Sequence, residues 1–313
     1  MIVRLRHGPG RTARAAADGA IISASNPCAA SLPCVGSAQR VRVSAHYNQH
    51  FFSGVHAGAS RSAGVLVPLI MELFAPRTVV DVGCGLGVWL RAFTLHGVDV
   101  DNVLGLDGDY VERERLVIPR EAFRAANLAE PIFLEETFDL VICLEVAEHL
   151  PPERAARFVA DLTRLAPLIV FSAAIPGQGG TQHVNERWAS EWAADFKRLD
   201  YDVIDCLRDR VWDDARVEFW YAQNTLVFAR SSEIERRADL SAMRAATQRR
   251  ALDRVHPRLY ARWIAYASLS MQPFHTLAPA ALRAGMRAIR RRWTRAVTAI
   301  RATRETVVER RQR

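Results

Sequence analysis

No stretch of this 313-residue chain approaches the roughly 18–20 unbroken apolar residues that span a bilayer as a helix. No continuous apolar segment follows the early arginines, so a secretory signal peptide describes the N-terminus poorly. The cysteines number five, which is odd for a set of disulfides. Cys28 and Cys34 have no histidine or further cysteine nearby, which excludes a zinc site of ordinary spacing. Cys84, Cys143 and Cys206 fall in apolar strand-like runs and read as small buried thiols. The set suggests a reducing, cytoplasmic compartment. Internal repeats and long low-complexity tracts are also missing.

Half of the residues are hydrophobic, enough for a buried core and too many for wholesale disorder. Residues 1–44 are basic, rich in Ala, Ser, Gly and Pro and without periodicity, and are expected to be a low-order leader. The net charge of +8 is unevenly held: residues 280–313 carry eleven arginines and two glutamates, so everything before them is close to neutral.

From about residue 60 to 230, short β-branched apolar runs alternate with helical patterns. "TVVDV" (78–82), "NVLGLD" (102–107), "EAFRAAN" (121–127), "FDLVICLE" (138–145) and "PLIVFSAA" (167–174) read as buried strands. Between them, 87–97, 109–116 and 151–165 read as helices. In the last, prolines mark the start and Phe158, Val159, Leu162 and Leu165 form one face. A helix over 185–200 and strands at 201–208 and 220–229 follow, the last two suited to an antiparallel pair at one edge. The pattern predicts a doubly wound α/β sheet.

"VVDVGCGLGVWL" (79–90) runs a strand into glycines at every second position. In such sheets ligands bind beyond the carboxyl ends of the strands, first at the turn after strand one. Asp81 ends that strand, and the turn through Gly83, Gly85 and Gly87 leads into a helix N-terminus that favours an electron-rich group. Asp107 closes strand two, placed to hold ribose hydroxyls. A nicotinamide dinucleotide needs G-x-G-x-x-G, whereas this spacing is G-x-G-x-G with an acid two residues ahead. Asp81 would repel a pyrophosphate and suit the amino group of S-adenosylmethionine. The plainer alternative makes Asp81 and Asp107 helix caps and Gly87 a packing glycine.

With "VLGLDGDYV", "FDLVICLEVAEHL" and "LIVFSAAIPGQGGTQHVNERW", this segment resembles class I S-adenosylmethionine-dependent methyltransferases, more narrowly the bacterial methyltransferase-23 type, over residues 47–229. The resemblance implies a Rossmann-like seven-stranded sheet over 45–230. It leaves both ends uncovered, and 231–313 read from their own spacing as an Arg-rich helical extension. It implies that Asp81, Gly83, Gly85 and Gly87 wrap the methionine part of S-adenosyl-L-methionine and that Asp107 contacts the ribose. Asn127 stands where the family has an aspartate near the adenine amino group, and its carbonyl can accept the same hydrogen bond without the charge. Glu145 stands where the family's fourth motif approaches cofactor and acceptor. Glu145, Glu148 and His149 also resemble the metal-ligand pattern of small-RNA 2′-O-methyltransferases and some quinone-pathway O-methyltransferases, although "EVAEHL" occurs in metal-free members too.

Methyl transfer to a hydroxyl or protonated amine needs a base. In the loop after strand five, His183 is the only residue of a type that titrates near neutrality, and His149 at the exit of strand four is the second candidate. Alternatively His183 anchors the loop, with Asn185 and Glu186 capping the next helix. Tyr47, Phe51, Phe52, Trp188, Trp192, Trp220 and Tyr221 suit an aromatic cap over an acceptor, or core anchors.

From Leu282, apolar residues recur at Met286, Ile289, Trp293, Val297 and Ile300 with arginines between. This is a basic amphipathic pattern suited to a membrane surface or a protein partner through residues 282–313. The expectation is a cytoplasmic, peripherally membrane-associated methyltransferase acting at oxygen on a small molecule or glycan intermediate. Rivals are a cofactor-binding scaffold acting through the tail, a nicotinamide-dependent oxidoreductase, and a nucleic-acid methyltransferase supported only by the tail's charge. No Asn/Asp-Pro-Pro-aromatic motif is present, which disfavours amino-methylation of bases.

Overall fold

Strands buried on both faces need apolar residues at every position, and the central runs of this chain supply them. In a computed structural model, which describes residues 49–270 and the side chains of 57–268, Val79–Val82 (β1), Val103–Asp107 (β2), Leu140–Leu144 (β4) and Leu168–Ser172 (β5) are buried throughout. With Phe123–Ala125 (β3), Tyr201–Ile204 (β6) and Leu226–Arg230 (β7) they form one seven-stranded sheet in the order β3-β2-β1-β4-β5-β7-β6. Neighbours from β3 to β5 pair in parallel, while β7 runs antiparallel to both β5 and β6. The expected edge pair is therefore present. The strand order reverses between β1 and β4, so the crevice for a ligand opens at their carboxyl ends.

Alternate residues of each strand serve opposite layers, as a period of two requires. Val79, Ile142, Val170 and Val227 face Gln49–Phe74 (α1) and Val88–Leu95 (α2). Val80, Val141, Ile169, Phe171 and Phe228 face Ala155–Leu165 (α3) and Ala189–Lys197 (α4). Among the described residues one helical stretch, Ala57–Phe74 of α1, is long and apolar enough to cross a membrane by length and composition. Its Ala63, Leu66, Val67 and Ile70, however, are buried in the core beside the sheet. Cys84 and Cys143 are buried and Cys206 half-buried, and burial pushes the Cys206 thiol up to about 12.

Two expected elements differ. Residues 109–116 form no α-helix: the β2–β3 crossover holds only single 3-10 turns at Arg113–Arg115 and Arg120–Ala122. The charges of "DYVERERL" leave only Val111 and Leu116 as apolar anchors, too few for a helical face. The expected strand at 220–229 is split, with Phe219–Asn224 helical (α6) and only 226–230 in the sheet. Arg208–Val211 (α5) precedes it, and Ser231–Arg236 (α7), Ala238–Thr247 (α8) and Pro257–Ser270 (α9) follow. Helix α9 lies within 231–313, the stretch expected to be a helical appendage. Ile234 and Leu240 join the core, and Leu259 and Trp263 pack with Ile175 and Phe219. Packing thus continues without a break past residue 230. The leader 1–44, the side chains of Tyr47, Phe51 and Phe52, and the basic segment 282–313 lie outside the described residues.

Candidate functional site

Two groups of side chains meet at the carboxyl edge of β1, β2, β4 and β5. The first is the glycine turn after β1. Gly83, Gly85 and Gly87 all have positive φ, at 89°, 53° and 84°. A Cβ on Gly83 would lie 2.3 Å from Val146 Cγ2, so the close approach of β1's turn to β4's exit excludes a side chain there. At Gly85 a Cβ would meet nothing within 4 Å. That position faces open space, and its backbone can approach a ligand.

The turn is tied to β2. Gly83 and Cys84 N–H both donate to the Leu106 carbonyl, at 2.7 and 3.1 Å, and Gly85 N–H donates to Asp107 Oδ2 at 2.7 Å. Asp107 Oδ1 accepts from Gly108 N–H at 2.7 Å and from the Tyr110 hydroxyl. The residue expected at the ribose is therefore also the post that fixes the glycine turn. Asp81 is 2% exposed, and its Oδ2 has no hydrogen-bond partner. Burial first, and the Asp107 carboxylate second, push its pKa well above the usual carboxylate range. A buried carboxylate oxygen without a donor is costly, and it marks a place where a cationic group would be bound. Asn127 is exposed at the end of β3, where its Oδ1 accepts from Ala129 N–H at 3.1 Å in a local turn.

The second group lies at the exits of β4 and β5. Glu145 adopts φ 56°, unusual for a residue with a side chain. Its N–H donates to Ser172 O at 2.9 Å, and its carboxylate accepts from Gln178 Nε2 at 2.9 Å and Asn224 Nδ2 at 3.0 Å. Burial raises its pKa despite these donors. Three residues on, Glu148 is fully buried and neither of its oxygens has a hydrogen-bond partner. Burial, then Glu145, pushes its pKa well up. His149 Nδ1 is likewise buried and unpartnered, and burial followed by His183 lowers this imidazole to about 4. The His149 and His183 rings meet edge to face with centroids 4.9 Å apart.

One potential ligand atom each from Glu148, His149 and His183 lies within 4.8 Å of the others. This corrects the expected metal trio: His183 joins Glu148 and His149, while the Glu145 carboxylate is held aside by Gln178 and Asn224. Buried, unpartnered carboxylate and imidazole atoms converging on one point fit a divalent cation with mixed nitrogen and oxygen ligands.

The loop 175–186 is built around Glu186. Its Oε2 accepts from Gly177 N–H at 2.7 Å, and its Oε1 accepts from Gly179 N–H at 2.8 Å and meets His183 Nδ1 at 2.9 Å. Glu186 and Asn185 do not cap the next helix. Asn185 Nδ2 donates to Ala147 O at 3.3 Å, and at the start of α4 it is Glu191 that accepts from Trp188 N–H. From beyond residue 205, Gln223 donates to Gln178 and Asn224, and Trp263 Nε1 donates to Gly177 O at 2.6 Å. Sequence reasoning missed Gln178, Gln223, Asn224 and Glu186 as site residues. Only the Gly-rich context of Gln178 hinted at a loop near the site. Of the expected aromatic cap, Trp192 and Tyr221 are buried, with Tyr221 packed edge-on against Trp89.

Residues 59–205 match the family described as a methyltransferase domain. A Methylococcus capsulatus protein named ubiquinone biosynthesis O-methyltransferase is 35% identical over 98 residues, 29% of this chain and 40% of that protein. A protein of Oryza sativa subsp. japonica named probable tocopherol O-methyltransferase, chloroplastic, is 32% identical over 97 residues, 29% of this chain and 26% of that protein. The chain thus spans between a quarter and two-fifths of the length of these relatives. Among solved structures, a sugar N-methyltransferase from Streptoalloteichus is similar at 16% identity and TM-score 0.45, covering 66% of this chain and 99% of that one.

Proposed function

We propose that the chain, whose residues 59–205 match a methyltransferase domain, is a class I, S-adenosylmethionine-dependent methyltransferase that methylates an oxygen of a small-molecule or glycan acceptor. The observation that carries the proposal is the adjacency of two unsatisfied groups across the contact between Gly83 and Val146. On one side, at the turn after β1, lies the buried Asp81 carboxylate with an unpartnered oxygen. On the other, Glu148, His149 and His183 converge without internal partners for Glu148 and for His149 Nδ1.

S-adenosylmethionine would supply an electrophilic sulfonium methyl, which would pass in line to the acceptor oxygen with S-adenosylhomocysteine as the leaving group. Asp81 would bind the amino group of the cofactor's methionine part as a charge partner, and Gly85, with no Cβ, would leave room at the turn for it. Asp107 holds the turn and offers a carboxylate to ribose hydroxyls. His183, in the loop over the carboxyl edge, has one free ring lone pair. With no cation bound it would take the proton from the acceptor's hydroxyl as the new O–C bond forms, and where a cation is bound it would ligate that cation while solvent takes the proton. His149 suits a different role: an imidazole lowered to about 4 stays neutral at pH 7 and is a weak base, but it keeps a lone pair for a cation. Glu148, His149 and His183 would hold a divalent cation, which supplies polarisation of a coordinated acceptor oxygen. The names of the relatives, a ubiquinone and a tocopherol O-methyltransferase, support a phenolic acceptor.

The test is S-adenosylhomocysteine release by the full chain with a panel of catechols, simple phenols and sugars, each with magnesium or manganese and with chelator. O-methyl product dependent on a divalent cation is expected. Methylation of nitrogen acceptors alone, at a rate indifferent to chelator, would overturn the proposal.

A further inference from the structure

His183 can serve as a base or a ligand only through a ring nitrogen that carries a lone pair, and in a neutral imidazole only one of the two does. Which one is fixed by the partner of the other. His183 Nδ1 faces Glu186 Oε1 at 2.9 Å, and an ionised carboxylate accepts hydrogen bonds but cannot donate. The same carboxylate is anchored by the N–H groups of Gly177 and Gly179, both at positive φ, so it cannot swing away without unmaking the loop. On the far side of the ring the space is kept clear by Gly180, where a Cβ would lie 2.1 Å from His183 Nε2. The loop thus presents a fixed acceptor at Nδ1 and no side chain at position 180 to obstruct Nε2.

We propose that Glu186 is a positioning residue that holds His183 as the Nδ1–H tautomer, leaving Nε2 as the lone-pair donor toward Glu148 and His149. The inference deepens the proposed function and rests on its reading of that pocket. A carboxylate behind a histidine fixes its orientation and raises the basicity of its free nitrogen. An isolated loop anchor would have no need of the ring's second nitrogen.

The experiment is long-range proton–nitrogen correlation NMR on the full chain, labelled with nitrogen-15 in histidine, at pH 8 with chelator. The His183 signals are assigned by their loss in His183→Ala. The unmodified chain should show a pyrrole-type Nδ1 and a pyridine-type Nε2. Glu186→Gln should move His183 toward the Nε2–H form and weaken manganese binding about 10- to 100-fold. Trp263→Phe removes a different tether of the same loop, at Gly177 O, and should leave the tautomer unchanged and manganese affinity within about threefold, well below that range. A pyridine-type Nδ1 in the unmodified chain would overturn the inference even if Glu186→Gln failed to fold. So would an unchanged tautomer in a folded Glu186→Gln. If the unmodified chain shows the expected tautomer but binds no manganese, the metal reading fails and the positioning role stands.

Discussion

Replacement of His183 by alanine is expected to slow methyl transfer about 10²- to 10⁴-fold, the usual range for loss of a positioned acid–base group. The comparison uses S-adenosylhomocysteine release on whichever acceptor of the panel the unmodified chain methylates. Affinity for S-adenosylhomocysteine should not change, because His183 sits at the exits of β4 and β5 and the cofactor cradle is built from β1 and β2. His149→Ala should affect turnover through the cation, so its loss should depend on the manganese concentration while that of His183→Ala should not be fully rescued. A folded His183→Ala chain with unchanged turnover would reduce this histidine to a loop anchor.

Asp81→Asn is expected to move stability and binding in opposite directions. Removing the charge that pairs with the methionine amino group should weaken S-adenosylhomocysteine binding about 10- to 100-fold, from the roughly 1.5–3 kcal/mol of a hydrogen bond to a charged group. The cofactor-free protein should become more stable near pH 7, by on the order of 1–3 kcal/mol, because an unsatisfied buried carboxylate is gone. The pH dependence follows from the raised pKa of Asp81. A carboxyl whose folded value lies above its unfolded value gives its full stabilising contribution below about pH 4 and loses it as pH rises through the folded value. The advantage of Asp81→Asn, measured by urea unfolding, should therefore be largest at neutral pH and shrink toward zero below about pH 4. An asparagine variant less stable than the parent at pH 7 would mean that Asp81 has a stabilising partner in the empty domain.

The sheet and the cofactor turn were legible because their signals are local. "VVDVGCGLGVWL" carries strand, turn and helix start within twelve residues, and Asp107 follows at the close of the next strand. The acceptor side was only half legible. His183 and His149 could be singled out as chemistry, but their meeting edge to face depends on the path of the loop, including Gln182 at φ 61°. Likewise Asn224 reaches Glu145 across 79 residues, from a segment whose apolar run read as strand but coils into α6. Short apolar runs do not distinguish the two. Helix α1 was missed because its Ala-, Gly- and Ser-rich first half looks like linker, while packing on α2 and the sheet makes it helical. The role of Glu186 was hidden for another reason: beside a helix start, a glutamate reads first as a cap.

Isothermal titration calorimetry of the full chain with S-adenosylhomocysteine and, separately, with NAD tests the central claim most directly. Asp81, buried with an unpartnered oxygen at the turn after β1, should welcome an amino group and repel a pyrophosphate. Saturable binding of S-adenosylhomocysteine, weakened in Asp81→Asn, with no heat from NAD, is the predicted result. Binding of NAD without binding of S-adenosylhomocysteine would contradict the account.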